Sequence, residues 1–362
     1  MSLLPPSPCR RSIAALCHIL LGAFRPCHAV RTVGVSQVLA YLILTGGVQA
    51  GTGMAPEPHF DVVVLGASGG LDESRLSAYL VSAAGQEAYL ALDAGTLYSG
   101  VQRWQERQGL RADPETTGAF IQQRIKGYAL SHAHIDHIAG LVTYSTDDSS
   151  KPIYALAPTV DTLVNHVFNW KVWPNFADRG VKPLLGKYRY TEVEPGAPLS
   201  IPGTGLTLTA FPLSHGVGMT STAFLLNYRD NYLLYFGDTG PDELETGGRI
   251  GAVWEAVAPL VRQGQLKAVF LEASYPNAQP DEHLYGHLTP RWLMEEMQSL
   301  ALRVNPEAPA QALSRLSLVV THIKPQRVGN AAAREVVSAE IQALNSLNLT
   351  VIVPEAGQSL SF

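Results

Sequence analysis

The sequence predicts an α/β chain folded as a four-layer αββα sandwich. Three observations point to it. Strand-like apolar runs recur in both halves of the chain, and helix-period segments lie between them. The conspicuous His and Asp residues stand at the ends of predicted strands, where an α/β scaffold gathers side chains. No short fixed-period repeat or low-complexity tract breaks residues 55–362, which read as one domain.

Each element has a local reason. Phe60 to Leu65 is an unbroken apolar run, a buried strand, and Gly66 to Gly70 is a turn. Ser77 to Val81 and Ala88 to Asp93 are strands around Gly85. A helix over Gly118 to Lys126 precedes a short strand, Gly127 to Leu130. Ile153 to Ala157 is a strand, and Pro158 opens a helix through Asn169. Residues 170–200 lose periodicity and read as an insertion near the mouth of a site. Its Trp170, Trp173, Phe176, Tyr188 and Tyr190 could stack a base, pack as an ordinary insertion, or contact a second copy in a homodimer. Leu206 to Leu213 is a strand. Thr222 to Tyr228 and Tyr232 to Phe236 form a hairpin across Arg229, Asp230 and Asn231. Helices over Ala252 to Arg262, Pro290 to Leu302 and Ala331 to Leu344 alternate with strands at Leu266 to Leu271, Leu316 to Val320 and Thr350 to Val353.

The first 50 residues differ. They hold all three cysteines (Cys9, Cys17, Cys27), several arginines and no acidic residue. The run Val33 to Val48, followed by Gln49 and Ala50, has the basic flank, short apolar core and small terminal residues of a secretory signal peptide. It is too short for a comfortable membrane span of about 20 residues. The length in front of it implies either a translation start near Val30 to Val35 or an unusually long export signal. The implied destination is the periplasm or the exterior; an uncleaved membrane-anchoring leader and a cytoplasmic protein are the alternatives.

The 362-residue chain is 46% hydrophobic, enough for a sizeable core, and carries a net charge of −5. That charge argues against a nucleic-acid partner, which calls for a basic face. It leaves open a small anion whose charge is met by metal ions. Beyond residue 28 there is no cysteine, so disulfides and thiolate ligands are excluded there.

The densest chemistry lies in Ser131 to Gly140. His132, His134, Asp136 and His137 place four metal-capable groups within six residues. Imidazoles with a carboxylate suit zinc or a similar divalent ion, though manganese or iron could fill the same set. Alternate residues after a strand point the same way, so His132 and His134 can share one metal while Asp136 and His137 face a second. Surface histidines in a loop would need no such spacing. His215, Asp238 and His322 each follow a predicted strand and can complete two sites. His59, His166 and His283 carry no comparable pattern. The Gly66 to Gly70 loop lacks the spacing and Lys context of a nucleotide loop and reads as a turn that lets backbone approach the site.

Together these residues resemble the metallo-β-lactamase superfamily and, within it, the class II 3′,5′-cyclic-nucleotide phosphodiesterases. The resemblance is carried, in order over residues 60–325, by Leu65 to Gly70, Leu92 to Thr96, His132 to Ser145, Leu213 to Gly216, Gly237 to Thr239, Leu271 to Asn277, Leu284 to Pro290 and Thr321 to Pro325. The segments around Glu272 and His287 separate this family from lactonases and β-lactamases better than the histidine motif does. Ile135 stands where the family usually has leucine. The resemblance implies that His132, His134 and His215 hold one metal, that Asp136, His137 and His322 hold the other, and that Asp238 bridges. It implies that Asp93 orients a ligand histidine or a metal-bound water, against the alternative of a turn cap before Gly95. His287 would contact the phosphate or protonate the leaving oxygen, with Glu272 either orienting it or raising its pKa to keep it cationic. The alternative for His287 is a helix-entry cap before Pro290.

The implied reaction is hydrolysis of cyclic AMP or cyclic GMP to the nucleoside 5′-monophosphate. A hydroxide bridging two divalent ions, whose proton Asp136 could also hold, would attack phosphorus in line. The rivals are another phosphodiesterase or esterase of the superfamily, ribonuclease Z-like or lactonase-like, and a non-catalytic nucleotide-binding protein.

Overall fold

The computed structural model describes residues 59–329 and 331–362. The leader and its signal segment lie outside the described residues.

Two seven-stranded sheets face each other. The first begins with the antiparallel strands β1 (Phe60–Gly66), β2 (Ala78–Ala83) and β3 (Tyr89–Leu92). Helices α1 (Tyr98–Arg107) and α2 (Pro114–Arg124) lead to β4 (Ile125–Ala129), parallel to β3. Helix α3 (Ile135–Tyr144), β5 (Lys151–Ala155), α4 (Ala157–Thr162) and β6 (Tyr188–Glu192) extend the parallel half.

The second sheet repeats the plan. Strands β7 (Leu199–Ser200), β8 (Thr207–Ser214), β9 (Thr220–Tyr228) and β10 (Asn231–Phe236) are antiparallel. Helices α5 (Asp242–Glu245) and α6 (Arg249–Arg262) precede β11 (Leu266–Glu272), which runs parallel to β10. Helices α7 (Pro290–Val304) and α8 (Pro309–Ala312) precede β12 (Ser317–Thr321). A two-stranded ribbon, β13 (Arg327–Val328) with β14 (Ala331–Ala332), leads into α9 (Ala333–Leu344) and β15 (Thr350–Ile352). The chain then crosses back: β16 (Ser359–Ser361) pairs with β1, setting Val62 opposite Leu360.

Side-chain alternation explains the layers. In β1, Val62 and Val64 enter the core between the sheets with Leu226, Tyr235 and Phe270, while Val63 and Leu65 face the core under α1 and α3. Trp254 of α6 and Leu293 and Met297 of α7 cover the outer face of the second sheet. Each fully buried large aliphatic or aromatic side chain contributes about 1.5–3 kcal/mol of burial free energy. The result is the helix–sheet–sheet–helix order that the sequence predicts.

Several elements differ from expectation. Helix α2 starts at Pro114, four residues early, because the Asp113 side chain accepts from Thr116 N. The helix expected through Asn169 ends as α4, followed by a π-helical turn at Leu163–Val167. Part of the presumed insertion is sheet: residues 188–192 pair with β5 as the edge strand β6. Tyr188 and Tyr190 are therefore buried in the core, and Trp173 donates to Ser145 Oγ at 2.9 Å. Among these aromatics the packing alternative is the one realised for Trp173, Tyr188 and Tyr190.

Candidate metal centre

The loops after β4, β8, β10, β11 and β12 converge. After β4, the Ser131 backbone is held by Asp93 Oδ1, which accepts from Ser131 N at 2.7 Å. His134 is the extended residue before α3, and α3 then carries Asp136 and His137 in its first turn. Strand spacing thus presents His132 and His134, and helical spacing presents the next pair. The second sheet brings His215 from the end of β8, Asp238 from β10, Glu272 from β11 and His322 from β12.

All seven predicted ligands meet. His132, His134, His215 and Asp238 form one group of converging donor atoms, and Asp136, His137 and His322 form another. Asp238 Oδ2 lies 3.2 Å from the Nε2 atoms of both His137 and His322, and 3.8 Å from those of His132 and His215. It stands between the groups. His322 Nε2 is 3.2 Å from Asp136 Oδ2. His134 and Asp136 are partly exposed, and the other five are buried.

The remaining ring nitrogens are already engaged. His215 Nδ1 donates to the Gly286 carbonyl at 2.7 Å, and His137 Nδ1 donates to Asp93 Oδ2 at 2.8 Å. Ser131 Oγ gives its proton to Asp93 Oδ2, so it accepts from His132 Nδ1 at 3.0 Å. Ser274 Oγ makes a short contact to Glu272 Oε2, so it accepts from His322 Nδ1 at 2.9 Å. Four Nε2 lone pairs are thereby aimed inward. Some then face other nitrogens: His132 Nε2 and His134 Nδ1 are 2.9 Å apart, and His137 Nε2 and His322 Nε2 are 3.1 Å apart. Opposed lone pairs at that range require a shared proton or cation. The donor set of imidazole nitrogens and carboxylate oxygens fits borderline divalent metals.

Charge follows the same logic. Burial holds the His132, His134 and His215 rings below the usual histidine range, His215 at about 4, despite the attraction of Asp238. Neutral imidazole is the form that binds metal. Burial would also lower His137, but Asp238 and Asp93 on its two sides overcome it and raise the ring well above the ordinary value. A cation at this place would take over the role of that proton. Burial opposes ionisation of Asp136 and Asp238, yet the His322 ring beside Asp136, and the attraction of His137 and His322 for Asp238, hold both carboxyls below their ordinary range.

Asp93 is placed behind the centre. Its carboxylate accepts from Ser131 N, Ser131 Oγ, His137 Nδ1 and, at 2.6 Å, Tyr235 OH. Glu272 and His287 form a buried pair beside the cluster: His287 Nδ1 is 3.0 Å from Glu272 Oε1. Glu272 also accepts from Thr239 N at 2.9 Å. The N-cap of α7 is Thr289, whose side chain accepts from Trp292 N, so His287 is not the helix cap. Burial lowers the His287 pKa, and the Glu272 carboxylate more than reverses this, leaving the ring above its ordinary value.

Further groups support the centre. Gly70 N donates to Asp136 Oδ2 at 2.9 Å, so the Gly66 to Gly70 turn does bring backbone to the site. A Cβ at Gly69 would lie 2.3 Å from the His322 ring. His322 itself has φ 56°, a left-handed conformation unusual for a bulky residue and typical of strain held at functional sites. Ser131, Ser274 and Gly286 carry no pattern in sequence; they tie the centre to Asp93, His322 and His215, 38, 48 and 71 residues away. His166 is exposed on the π-helical turn, and His283 stacks on Tyr285 at the rim, with ring centroids 6.2 Å apart.

Two facing sheets with helices outside, and a His/Asp cluster on the strand-end loops, define a protein of metallo-β-lactamase fold. The chain is similar to the metallo-beta-lactamase fold protein YhfI from Bacillus subtilis, with a TM-score of 0.54, 16% identity, and coverage of 83% of this chain and 99% of that one. It is similar to unliganded yeast PDE1 with a TM-score of 0.74 at 23% identity, covering 84% of this chain and 100% of that chain. In sequence it is 36% identical over 310 residues to a 3′,5′-cyclic-nucleotide phosphodiesterase of Aliivibrio fischeri, covering 84% of this chain and 93% of that protein. Residues 60–357 match the model of the class-II cAMP phosphodiesterases, and the chain belongs to that family.

Proposed function

We propose that this chain hydrolyses 3′,5′-cyclic nucleotides, cyclic AMP or cyclic GMP, to nucleoside 5′-monophosphates, using two divalent ions, zinc by the histidine-rich donor set. The carrying observation is the set of four histidines whose outer nitrogens are engaged and whose Nε2 atoms converge, with the His287–Glu272 pair beside them. His132, His134 and His215 would hold one ion, Asp136, His137 and His322 the other, and Asp238 both. When bound, the ions supply activated water near neutral pH and neutralise the phosphoryl oxygens.

The chain's own groups do the rest. Glu272 occupies His287 Nδ1 and favours the imidazolium. His287 can then give its Nε2 proton to the departing 3′ oxygen as the bond to phosphorus breaks. Asp93 holds His137 in one tautomer and orientation. Metal analysis of the purified protein with a substrate panel tests the proposal. Cyclic AMP and cyclic GMP should turn over far faster than a lactone; a lactone preferred over both, or cyclic nucleotides bound without turnover in metal-replete protein, would overturn it.

The rim supports a place for the base. Tyr285 is 68% exposed and at φ 54°, and a Cβ placed at Gly216, next to His215, would lie 3.7 Å from its carbonyl oxygen. An aromatic face held out beside the centre suits stacking of a purine. Tyr285→Ala is expected to raise KM for cyclic AMP roughly 5- to 150-fold, from about 1–3 kcal/mol of stacking, with little change in kcat. An unchanged KM would remove Tyr285 from substrate binding.

We also propose that the leader directs export and is removed. N-terminal sequencing of the exported protein should start near residue 51; a mature chain still carrying residues 1–30 would exclude this cleavage.

A further inference from the structure

Ala67, Ser68 and Ile323, the neighbours in sequence of Gly69 and His322, form part of the wall of a separate cavity of about 510 Å³. None of the candidate metal ligands lines it. Five arginines do: Arg75 from the loop before β2, Arg103 and Arg107 from α1, Arg327 from β13 and Arg334 from α9. Among the described residues, Glu355 is the sole acidic one in the lining. In a chain of net charge −5, this concentration of guanidinium groups is local and specific.

Neutral groups hold much of this charge in place. Arg103 Nη1 donates to the Ser74 carbonyl at 3.0 Å, and Arg334 Nη1 to the Pro354 carbonyl at 2.7 Å. Arg107 Nη1 donates to the Ala356 carbonyl at 3.0 Å and reaches Glu355 at 3.3 Å. Arg75 reaches Asp72 at 3.5 Å. Carbonyl dipoles fix an arginine without cancelling its charge. Burial holds the Arg334 pKa below the usual arginine range, and neighbouring Arg75 adds to that, against the pull of Glu355. An anion in the cavity would offset the cost of burying this charge.

Arginine forks match phosphate oxygens bidentately. The volume falls within the range of small-molecule sites, and Ile323, Pro325 and Pro354 offer an apolar face for the body of a ligand. We propose that this cavity binds a multiply charged phosphate ester of nucleotide size, at a site distinct from the metal centre.

Isothermal titration with ADP tests it, using the whole metal-loaded protein. The wild type and Asp136→Ala should bind ADP at this site with the same affinity. Arg75→Glu combined with Arg103→Glu should bind at least tenfold more weakly, and Arg75→Gln with Arg103→Gln should fall between. Thermal melts confirm that each variant is folded. Equal binding in the wild type and both arginine pairs, loss of binding in Asp136→Ala alone, or no saturable binding at millimolar ADP would overturn the proposal. The readout is binding, so its failure is distinguishable from failure of the phosphodiesterase assignment.

Discussion

Replacing Asp136 by alanine is expected to reduce kcat/KM for cyclic AMP to below about one-thousandth of wild type, roughly 4 kcal/mol of lost transition-state stabilisation. Asp136 is the partly exposed carboxylate of the second group, fixed by Gly70 N at 2.9 Å and facing His322 Nε2 at 3.2 Å. Its removal leaves His137 and His322 as an incomplete set. Metal content per chain, measured by mass spectrometry, should fall together with the rate. Asp136→Asn keeps the shape but not the charge, and should lose most of the activity as well. Because His322 and His137 hold its pKa below the ordinary carboxylate range against the effect of burial, Asp136 is ionised at neutral pH. The acid limb of the rate profile should therefore not belong to it. An alanine variant that hydrolyses cyclic AMP at the wild-type rate would exclude the scheme.

His287→Ala should lower kcat by about 10²- to 10⁴-fold, the usual contribution of a positioned proton donor. The loss should shrink for bis-p-nitrophenyl phosphate, whose leaving group departs without protonation. The pH profile tests the pairing with Glu272. The imidazolium is the active form in this role, so the rate falls as pH rises through the His287 pKa. Glu272 raises that pKa. Glu272→Gln removes the negative charge while keeping the side chain's shape, so the falling limb should move to lower pH. A limb that stays in place would mean that His287 does not act as the acid, or that Glu272 does not set its charge.

The parts of the centre that sequence exposes are those made by local geometry. His132 to His137 are contiguous, so strand and helix spacing can be read directly. His215, Asp238 and His322 are recognisable because each ends an apolar strand of the second sheet. Ser131, Ser274 and Gly286 also tie the centre to distant residues (Asp93, His322 and His215), through a hydroxyl or a backbone group that any loop could carry. The left-handed conformations of His322 and Tyr285 leave no trace in residue type. Among the elements, α1 is hidden because its buried residues are Gly100, Val101 and Gln105, which give a weak apolar stripe. Strand β6 is five residues long and follows an irregular stretch, and β16 is only Ser359–Ser361, with no apolar run to mark it.

Strand β16 has a consequence for biosynthesis. Residues 359–362 complete the edge of the sheet that begins with β1: the Phe362 carbonyl accepts from Phe60 N at 3.0 Å, and Ser361 Oγ donates to Asp61 Oδ1 at 2.8 Å. The Phe362 ring also lies against Phe270 in the core between the sheets. The ribosome therefore makes β1 about 300 residues before its outer partner emerges. Until translation reaches that point, one flank of β1 is an unpaired edge able to recruit other strands. Nascent-chain association with chaperones should persist until residues 359–362 have emerged from the ribosome and paired with β1.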